Sequence, residues 1–569
     1  MVLISKRGRF LVGELIFERG ERIELAGGRR AATPGRMALV EMGQGRGRAR
    51  VLRELGRPDV AADVIDAMLE DREVRLGFGR GIEGAAADAV SAAQDLAVER
   101  RDLRELPTFT VDPASARDFD DAVSASRSDR GVRLWIHIAD VAAHVRPGDP
   151  LDKEARRRAN STYVPSRVAP MLPQVLSGDA CSLVPGQDRL AVTAEIELSE
   201  AGEPLSATFY RSVIRSDSRL NYDELDEIFT GRKRPPEAIA EPLSLARQAA
   251  AALAGRRPRS SLDVESFEPE FRFERGQVVE AHSVPQTEAH RLIEHLMILT
   301  NERVAELLER RRIPTLYRIH EQPDPERIRR LIEQLAALDI PTPALPDTLS
   351  PQQAGELAGE ASRLVAREAE RRHHGREAYT SLVLRSLKPA QYSDHNLGHA
   401  GLGSSAYCHF TSPIRRYPDL IVHRSLLSAI GAGEEAPRAE GLAELGVHCS
   451  ERERDATRIE RDADSVCACF LLERELLERG PQTPFEGEVS GVVGAGAFVR
   501  FGGTLADVYE GFLPARRIGG RERYELDATE TMLVGSRGGD ALRIGDPVSI
   551  TVDRVEAPRG RVDLLPSPM

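Results

Sequence analysis

The pattern of apolar and polar positions changes texture four times along the chain. Residues 1–55 carry short apolar runs, RFLVGELIF, RIELAG, RMALVEM and RARVLREL, separated by breaks such as ERGER and GQGRG. Several short strands with closely spaced turn signals predict a small β-barrel. Residues 59–74, DVAADVIDAMLEDREV, put Val60, Val64, Met68 and Leu69 at helical spacing, and 80–105 read as a partly helical connector. From 106 to about 430 the pattern is mixed. Period-two runs (VRLWIHIADV, and RLAVTAEIEL followed by LSATFYRSVI across SEAGEP) alternate with long amphipathic stretches such as VPQTEAHRLIEHLMILTNERVAELLERRR. That is an α+β texture. Residues 436–479 read as almost wholly helical, while 344–352 and 431–438 read as loops. From Phe485 the β texture returns in FEGEVSGVVGAGAFVRFGG, GFLPA and DPVSITVDRVEAPRGRVDLL, predicting a second small barrel. The predicted fold class is a multidomain α+β chain in which two small barrels bracket a large mixed core.

Composition narrows this little. Of the 569 residues, 41% are hydrophobic and 30% charged, an ordinary globular balance. No apolar run approaches the roughly 18–20 residues a membrane span needs, and Lys6, Arg7 and Arg9 interrupt the N-terminal stretch. A cytoplasmic protein without membrane contact is expected. The five cysteines include no C-x-x-C pair, which argues against a disulfide framework or structural zinc and for buried, reduced thiols. The net charge of −12 neither suggests nor excludes a nucleic-acid partner, because phosphate contacts need a local basic groove rather than a basic total.

The chemistry concentrates at VDPASARDFDDAV, residues 111–123, where Asp112, Asp118, Asp120 and Asp121 crowd together with Arg117 as the one basic residue among them. Along an extended chain Asp118 and Asp120 share a face and Asp121 points away; a bend after Phe119 would bring all three together, and Pro113 turns the chain just after Asp112. Such carboxylates cannot all stay ionised without cations. Mg²⁺ suits them, being a hard cation that takes oxygen ligands and leaves positions for phosphate oxygens, and a pair of such ions polarises a phosphodiester. A solvated acidic loop is the bland alternative. A calcium-binding EF-hand loop fails, since counting from Asp118 the sixth position is Val123 and the twelfth is Asp129.

Two further motifs bear on the cluster. In TSPIRRYPDLIVHR, residues 411–424, the adjacent Arg415 and Arg416 point different ways, so one suits a phosphate and the other a carboxylate. In ANSTYVPSRVAPMLPQV, residues 159–175, Tyr163 sits on a proline-punctuated stretch suited to holding an aromatic against a nucleobase; Tyr317 in PTLYRIH is a similar candidate, and a core role is the alternative for each. HRLIEH, residues 290–295, hints at a metalloprotease. Its spacing of His290, Glu294 and His295 matches neither the zincin pattern nor its inverse.

DPASARDFDDAV, STYVPSRVAPMLP with ACSLVPG, LIEHLMILTNERVA, YRIHEQPD, LRSLKPAQYS and HFTSPIRRYPDLIVHR occur in this order. Together they resemble the RNB catalytic domain of the ribonuclease II / ribonuclease R family, from about Pro107 to about Glu478. The resemblance implies a processive 3′→5′ exoribonuclease that hydrolyses single-stranded RNA to nucleoside 5′-monophosphates. It implies two Mg²⁺ ions, with Mn²⁺ as a substitute, held by Asp112, Asp118, Asp120 and Asp121. By the same resemblance Tyr163 stacks near the 3′-terminal base, Arg415 holds the scissile phosphate with Arg416 as the near alternative, Glu460 in RIERDAD helps orient or expel product, and Tyr317 is the second clamp aromatic. The implied domains are an OB-type, cold-shock-like RNA-binding barrel at 1–55, a helical connector at 56–105, the RNB domain with its C-terminal helices at 106–480, and an S1-type RNA-binding OB barrel at 481–569. In that last domain Phe485, Phe498, Phe501 and Phe512 are spaced as strand aromatics, with Phe498 or Phe501 facing RNA, and Arg516 and Arg517 add local positive charge. The expected partner is single-stranded RNA with a free 3′ end, bound by a monomer with no obligatory protein partner. Residues 1–55 have room for one N-terminal barrel rather than two. Neither an N-terminal helix-turn-helix extension nor a lysine-rich tail is expected from this sequence. These departures put strong duplex unwinding and tail-dependent RNA binding in doubt.

Overall fold

The computed structural model describes residues 1–567 apart from positions 9, 19, 21, 27–31, 43–47, 94–98, 258–267, 506–507, 520–521 and 538. Its first unit contains β1 (Val2–Arg7), β2 (Phe10–Leu15), β3 (Ile23–Glu24), β4 (Met37–Glu41) and β5 (Arg50–Glu54), in the order β3-β2-β1-β4-β5. Val2, Ile4 and Leu11 alternate inward to form a small core with Leu25, Ala38 and Ala49. A parallel bridge between Leu25 and Ala49 joins the two edges, so the sheet curls into a barrel. The sequence pattern shows four of these strands. It misses β1, whose VLISKR gives only two inward positions before its charges begin.

Helices α1 (Ala61–Asp71) and α2 (Arg80–Ala93) lead into the central unit. There β6 (Arg101–Asp102), β7 (Phe109–Asp112), β8 (Asp121–Ser128) and β9 (Gly131–Ala139) are followed by α3 (Pro150–Arg158) and the hairpin β10 (Thr162–Val164) and β11 (Arg167–Ala169). Then come β12 (Asp188–Ser199), β13 (Pro204–Arg215), β14 (Ser218–Asn221), α4 (Tyr222–Phe229) and α5 (Ala240–Gly255). The seven-stranded sheet runs β14-β7-β8-β9-β12-β13-β6. Its inward residues Val123, Ile136, Ile138, Val192 and Ala194 are almost fully buried, under α5 and α6 (Glu288–Arg311). The hairpin of β15 (Glu268–Glu274) and β16 (Gln277–Val284) precedes α6. After it come β17 (Tyr317–Ile319), α7 (Pro325–Ala337), α8 (Pro351–Arg372), α9 (Arg376–Ser386), β18 (Gln391–Ser393), α10 (Tyr417–Ala429) and the 38-residue α11 (Leu442–Arg479).

The final unit is a closed barrel of β19 (Pro484–Val493), β20 (Gly496–Phe501), β21 (Tyr509–Pro514), β25 (Pro547–Glu556) and β26 (Arg561–Pro566). Between β21 and β25 lie the short α12 (Ala515–Ile518) and a three-stranded sheet of β22 (Tyr524–Leu526), β23 (Met532–Gly535) and β24 (Ala541–Arg543). The order β19-β20-β21-β26-β25, with β21 parallel to β26, repeats the strand logic of the first unit. The barrel is fixed to α11 through the buried carboxylate of Glu475. That carboxylate accepts from the backbone N–H of Thr504 at 2.8 Å, the Tyr509 hydroxyl at 3.0 Å and Arg479 at 2.6 Å. The two barrels also meet, since Arg559 donates to the carbonyls of Leu15 and Ile16 at 2.8 and 2.9 Å.

Candidate active site

The four aspartates converge by a route other than the bend expected from the sequence. Strand β7 ends at Asp112 and β8 starts at Asp121; residues 113–120 between them belong to no strand. Phe119 anchors this loop. Its ring is 5% exposed in the main core, its N–H donates to the Ser182 hydroxyl at 3.0 Å, and its carbonyl accepts from Leu183 at 3.0 Å. With Phe119 held inward, Asp118 and Asp120 flank it. Asp112 and Asp121 close the cluster from two antiparallel neighbours in the sheet. Strand alternation therefore does not govern Asp118 and Asp120, and no bend in a strand is needed.

The electrostatics are those of crowded, desolvated carboxylates. Burial, then the neighbouring Asp121 and Asp118, push the Asp112 carboxyl up to about 8. Burial pushes Asp121 up to about 6 against the pull of Arg415 and Arg416, and Asp120 is raised well above the usual carboxylate range, again by burial. Oδ2 of Asp112, Asp120 and Asp121 are each buried without a hydrogen-bond partner. Unsatisfied buried acceptors of this kind are costly, and hard cations that take oxygen ligands satisfy them. Among the described residues, however, no three His, Cys, Asp or Glu side chains already form a closed ligand set. The donor set fits a divalent cation in type and burial and is not preformed around one.

Arg415 and Arg416 divide as their opposite directions predict. Arg416 grips the fully buried Asp419 with two bonds, at 2.9 and 2.7 Å, and Asp419 also accepts from the N–H of Ser412 at 2.8 Å. Its guanidinium is committed to structure. Arg415 is 45% exposed and lies 3.5 Å from Asp120, whose other oxygen accepts from the N–H of Ile414 at 2.8 Å. Tyr163 is 37% exposed on β10. Its hydroxyl donates to Asp118 at 2.7 Å and its N–H donates to Glu460 on α11 at 2.8 Å. The structure thus gathers Asp112, Asp118, Asp120, Asp121, Arg415, Tyr163 and Glu460.

Two of the aromatics expected to contact RNA are buried in this structure. Tyr317 is 6% exposed and lies in the main core, with β17 paired to β18, so it offers no face to a base. Phe501 is 3% exposed, packed between Phe485 and Tyr509 inside the C-terminal barrel, whereas Phe498 on the same strand is 38% exposed. Strand alternation decides between the two: an odd number of positions separates them, so they face opposite sides. Arg416, the near alternative for the phosphate, is engaged by its two bonds to Asp419.

One residue the sequence reading passed over belongs here. Tyr222, the first residue of α4, has its hydroxyl pushed upward in pKa by burial and by Asp121 and Asp112, and its ring stacks on His290 at 3.9 Å. It arrives because β14 pairs with β7 and sets Asn221 opposite Asp112. In the HRLIEH segment, His290 stacks on Tyr222 and the exposed Glu294 accepts from Gln286 at 2.7 Å.

Comparison with known proteins places these features in context. The family model described as RNB domain matches residues 100–432, which includes the four aspartates, Tyr163 and Arg415 but not Glu460. The chain is 35% identical over 527 residues to Ribonuclease R of Aquifex aeolicus, covering 91% of this chain and 72% of that protein. It is 34% identical over 534 residues to Ribonuclease R of Escherichia coli, covering 90% of this chain and 63% of that one. The solved structure of Mycoplasma genitalium RNase R in complex with ribose-methylated single-stranded RNA superposes with a TM-score of 0.84 at 24% identity, covering 98% of this chain and 89% of that chain.

Proposed function

Because the chain belongs to the RNB-domain family of ribonuclease R, we propose that it is an exoribonuclease that degrades single-stranded RNA from the 3′ end to nucleoside 5′-monophosphates. The observation that carries this reading is the set of three buried carboxylate oxygens without a hydrogen-bond partner, on Asp112, Asp120 and Asp121, the second of them 3.5 Å from the half-exposed Arg415. Two Mg²⁺ ions at these carboxylates, with Asp118 at the exposed edge, would supply Lewis-acid polarisation of the phosphodiester and an activated water.

The chain's own residues do the rest. Arg415, half-exposed and bonded to the Ser412 hydroxyl at 3.2 Å beside Asp120, holds the scissile phosphate and counters the charge that grows on its oxygens in the transition state. Arg416 keeps the SPIRRY turn rigid through Asp419, so the neighbouring Arg415 starts from a fixed backbone. Tyr163 presents its ring to a base, with its hydroxyl tied to Asp118 and its backbone to Glu460. Stacking reads the π-face of any base, so this grip is indifferent to sequence. Glu460, bonded to the backbone of the stacking residue, is placed to adjust that grip as product leaves. Tyr222 covers the aspartates from the α4 side and narrows the space for the terminal nucleotide. Phe498 supplies an exposed aromatic on the C-terminal barrel for RNA farther from the cut.

A pair of RNA oligomers, one labelled at the 3′ end and one at the 5′ end, tests the reading beside a DNA control. Stepwise mononucleotide release from the RNA 3′ end in Mg²⁺ is expected; cuts within the chain or no product would overturn it. Asp120→Asn should abolish cleavage while RNA binding survives.

A further inference from the structure

Behind β10, on the side away from the aspartates, a cavity of about 400 Å³ opens between the end of α1, α3 and the middle of α11. Arg72, Arg75, Arg157, Arg158, Arg452 and Arg458 line it. In a chain of net charge −12 this is a marked local excess of positive charge. Three acidic residues, Asp71, Glu73 and Asp455, stand in the same wall against the six arginines, so the positive charge is reduced but not cancelled. Asp71 is bonded to the Met1 amino group at 2.8 Å, and Asp455 is paired with Arg452 at 2.8 Å. Arg158 is held by Glu154 and by the carbonyls of Arg75, Gly77 and Pro170, with its guanidinium over the ring of Phe78 at 3.8 Å. Arg72 pairs with Asp462 at 2.9 Å and Arg157 with Glu154 at 2.6 Å. Arg75 and Arg458 differ. Among the described residues neither guanidinium has an ion-pair or hydrogen-bond partner.

A second observation comes from the floor. Asn160 lines the cavity, and its side-chain oxygen is buried with no hydrogen-bond partner, while its amide nitrogen is spent on the Ser161 carbonyl at 2.9 Å. The same wall thus carries two uncommitted guanidinium groups and a buried acceptor that a small shift of the 160–163 segment would open to the cavity, a combination that suits a ligand with both an anion and a hydroxyl donor. The volume lies within the range of small-molecule sites, roughly 300–1,000 Å³.

The cavity backs directly onto the reacting residues. Thr162, buried in its wall, and Tyr163, exposed toward Asp118, are successive residues of β10 and face opposite ways. Ile459 lines the cavity and Glu460 bonds the Tyr163 N–H. Asn160 bridges to the Arg416 backbone, and the Ser161 N–H donates to the Arg415 carbonyl at 2.9 Å. One short segment, residues 160–163, therefore forms both the floor of this cavity and a wall of the catalytic site.

We propose that the cavity is a separate binding site for a nucleoside 5′-monophosphate, with the phosphate held by Arg75 and Arg458 and a ribose hydroxyl donated to Asn160. That this ligand is the enzyme's product rests on the activity proposed above. Occupancy restrains the 160–163 segment and so slows the next cycle, making it a site of product feedback distinct from competition at the aspartates.

Calorimetric titration of the full chain with uridine 5′-monophosphate, uridine and inorganic phosphate tests the site without turnover. The monophosphate should bind, uridine should not, and phosphate should bind more weakly. Binding of phosphate as tight as that of the monophosphate would show a plain anion site and overturn the ribose contact. Arg75→Ala with Arg458→Ala should weaken monophosphate binding at least tenfold. It should also convert mixed inhibition of RNA degradation into purely competitive inhibition, with KM for RNA unchanged. Unchanged affinity in that double variant, or an equal loss of RNA affinity, would overturn the proposal; the second result would mean that these arginines line the strand's own path. If monophosphate binds here but RNA is not degraded, the proposed activity fails and the site stands.

Discussion

Arg415 and Arg416 are the same residue type at adjacent positions, and their surroundings give them separate work. Arg416 is spent on Asp419, which is fully buried. Its removal leaves an uncompensated buried carboxylate, so Arg416→Ala should destabilise the fold by about 3–5 kcal/mol, read by chemical denaturation. Arg415→Ala should leave the denaturation midpoint in place and lower kcat by about 10²–10³, the loss typical of one transition-state charge donor. Tyr163→Phe and Tyr163→Ala separate the ring from the hydroxyl in the same way. The first should retain RNA affinity, and the second should lose about 1–3 kcal/mol of it, measured with the Asp120→Asn background to prevent turnover. The residues of the candidate site were legible chiefly through the resemblance to the ribonuclease II / ribonuclease R family: the aspartates, Tyr163, Arg415 and Glu460 were all marked, and the structure brings them together. Tyr222 was not, because it approaches through the pairing of β14 with β7, a contact between segments more than 100 residues apart that leaves no local pattern. The burial of Tyr317 was not legible for the converse reason. An aromatic beside a motif looks the same in sequence whether it faces a groove or the core.

At the scale of elements, the loop 113–120 owes its shape to a partner far along the chain. Ser182 accepts from the Phe119 N–H and donates to the Arg117 carbonyl at 2.9 Å. Ser182→Ala strands that buried N–H, at a cost of about 1–3 kcal/mol, and releases the segment carrying Asp118 and Asp120. Activity should fall further than stability alone explains, which is visible as reduced kcat at temperatures well below unfolding. The sequence indicated a carboxylate cluster but assigned it to a bent strand, because period-two alternation says nothing about a side chain pinning the backbone from 60 residues away. The central sheet carries a different dependence. His137 on β9 is fully buried between the hydroxyls of Ser124 at 3.1 Å and Thr193 at 2.9 Å, and burial lowers its pKa to about 3. In the unfolded chain an ordinary histidine titrates near 6.5. Below that value the unfolded state takes up a proton the folded state refuses, so stability falls as pH drops from about 6.5 toward 3, by roughly 1.4 kcal/mol per pH unit for this one site. His137→Asn should flatten the slope of denaturation free energy between pH 6.5 and 5.

Across the whole molecule, α11 is the shared spine. It bonds Tyr163 through Glu460, lines the arginine-rich cavity and carries the Glu475 clamp onto the C-terminal barrel. Glu475→Ala removes the acceptor for Thr504 and Tyr509 together, and limited proteolysis should then release the C-terminal barrel before the central unit. The helix was legible as a long helical run and the barrels as β texture. Their mutual placement was not, since it rests on single buried contacts such as Glu475 and Arg559, which resemble any other charged surface residue in a sequence.

The buried oxygens of Asp112, Asp120 and Asp121 that lack a hydrogen bond also set a trade between endurance and work. A carboxylate whose proton is held more tightly in the folded state than in the unfolded one weakens the fold as pH rises toward neutrality. A cation that binds only the folded state returns that stability in proportion to its concentration. The melting temperature in chelator should therefore be low and should climb with added Mg²⁺. Asp112→Asn should be the opposite kind of protein: sturdier in chelator, nearly indifferent to Mg²⁺ and inactive. The chain is built to be slightly uncomfortable when idle, and the discomfort measures how ready the site is for its ions.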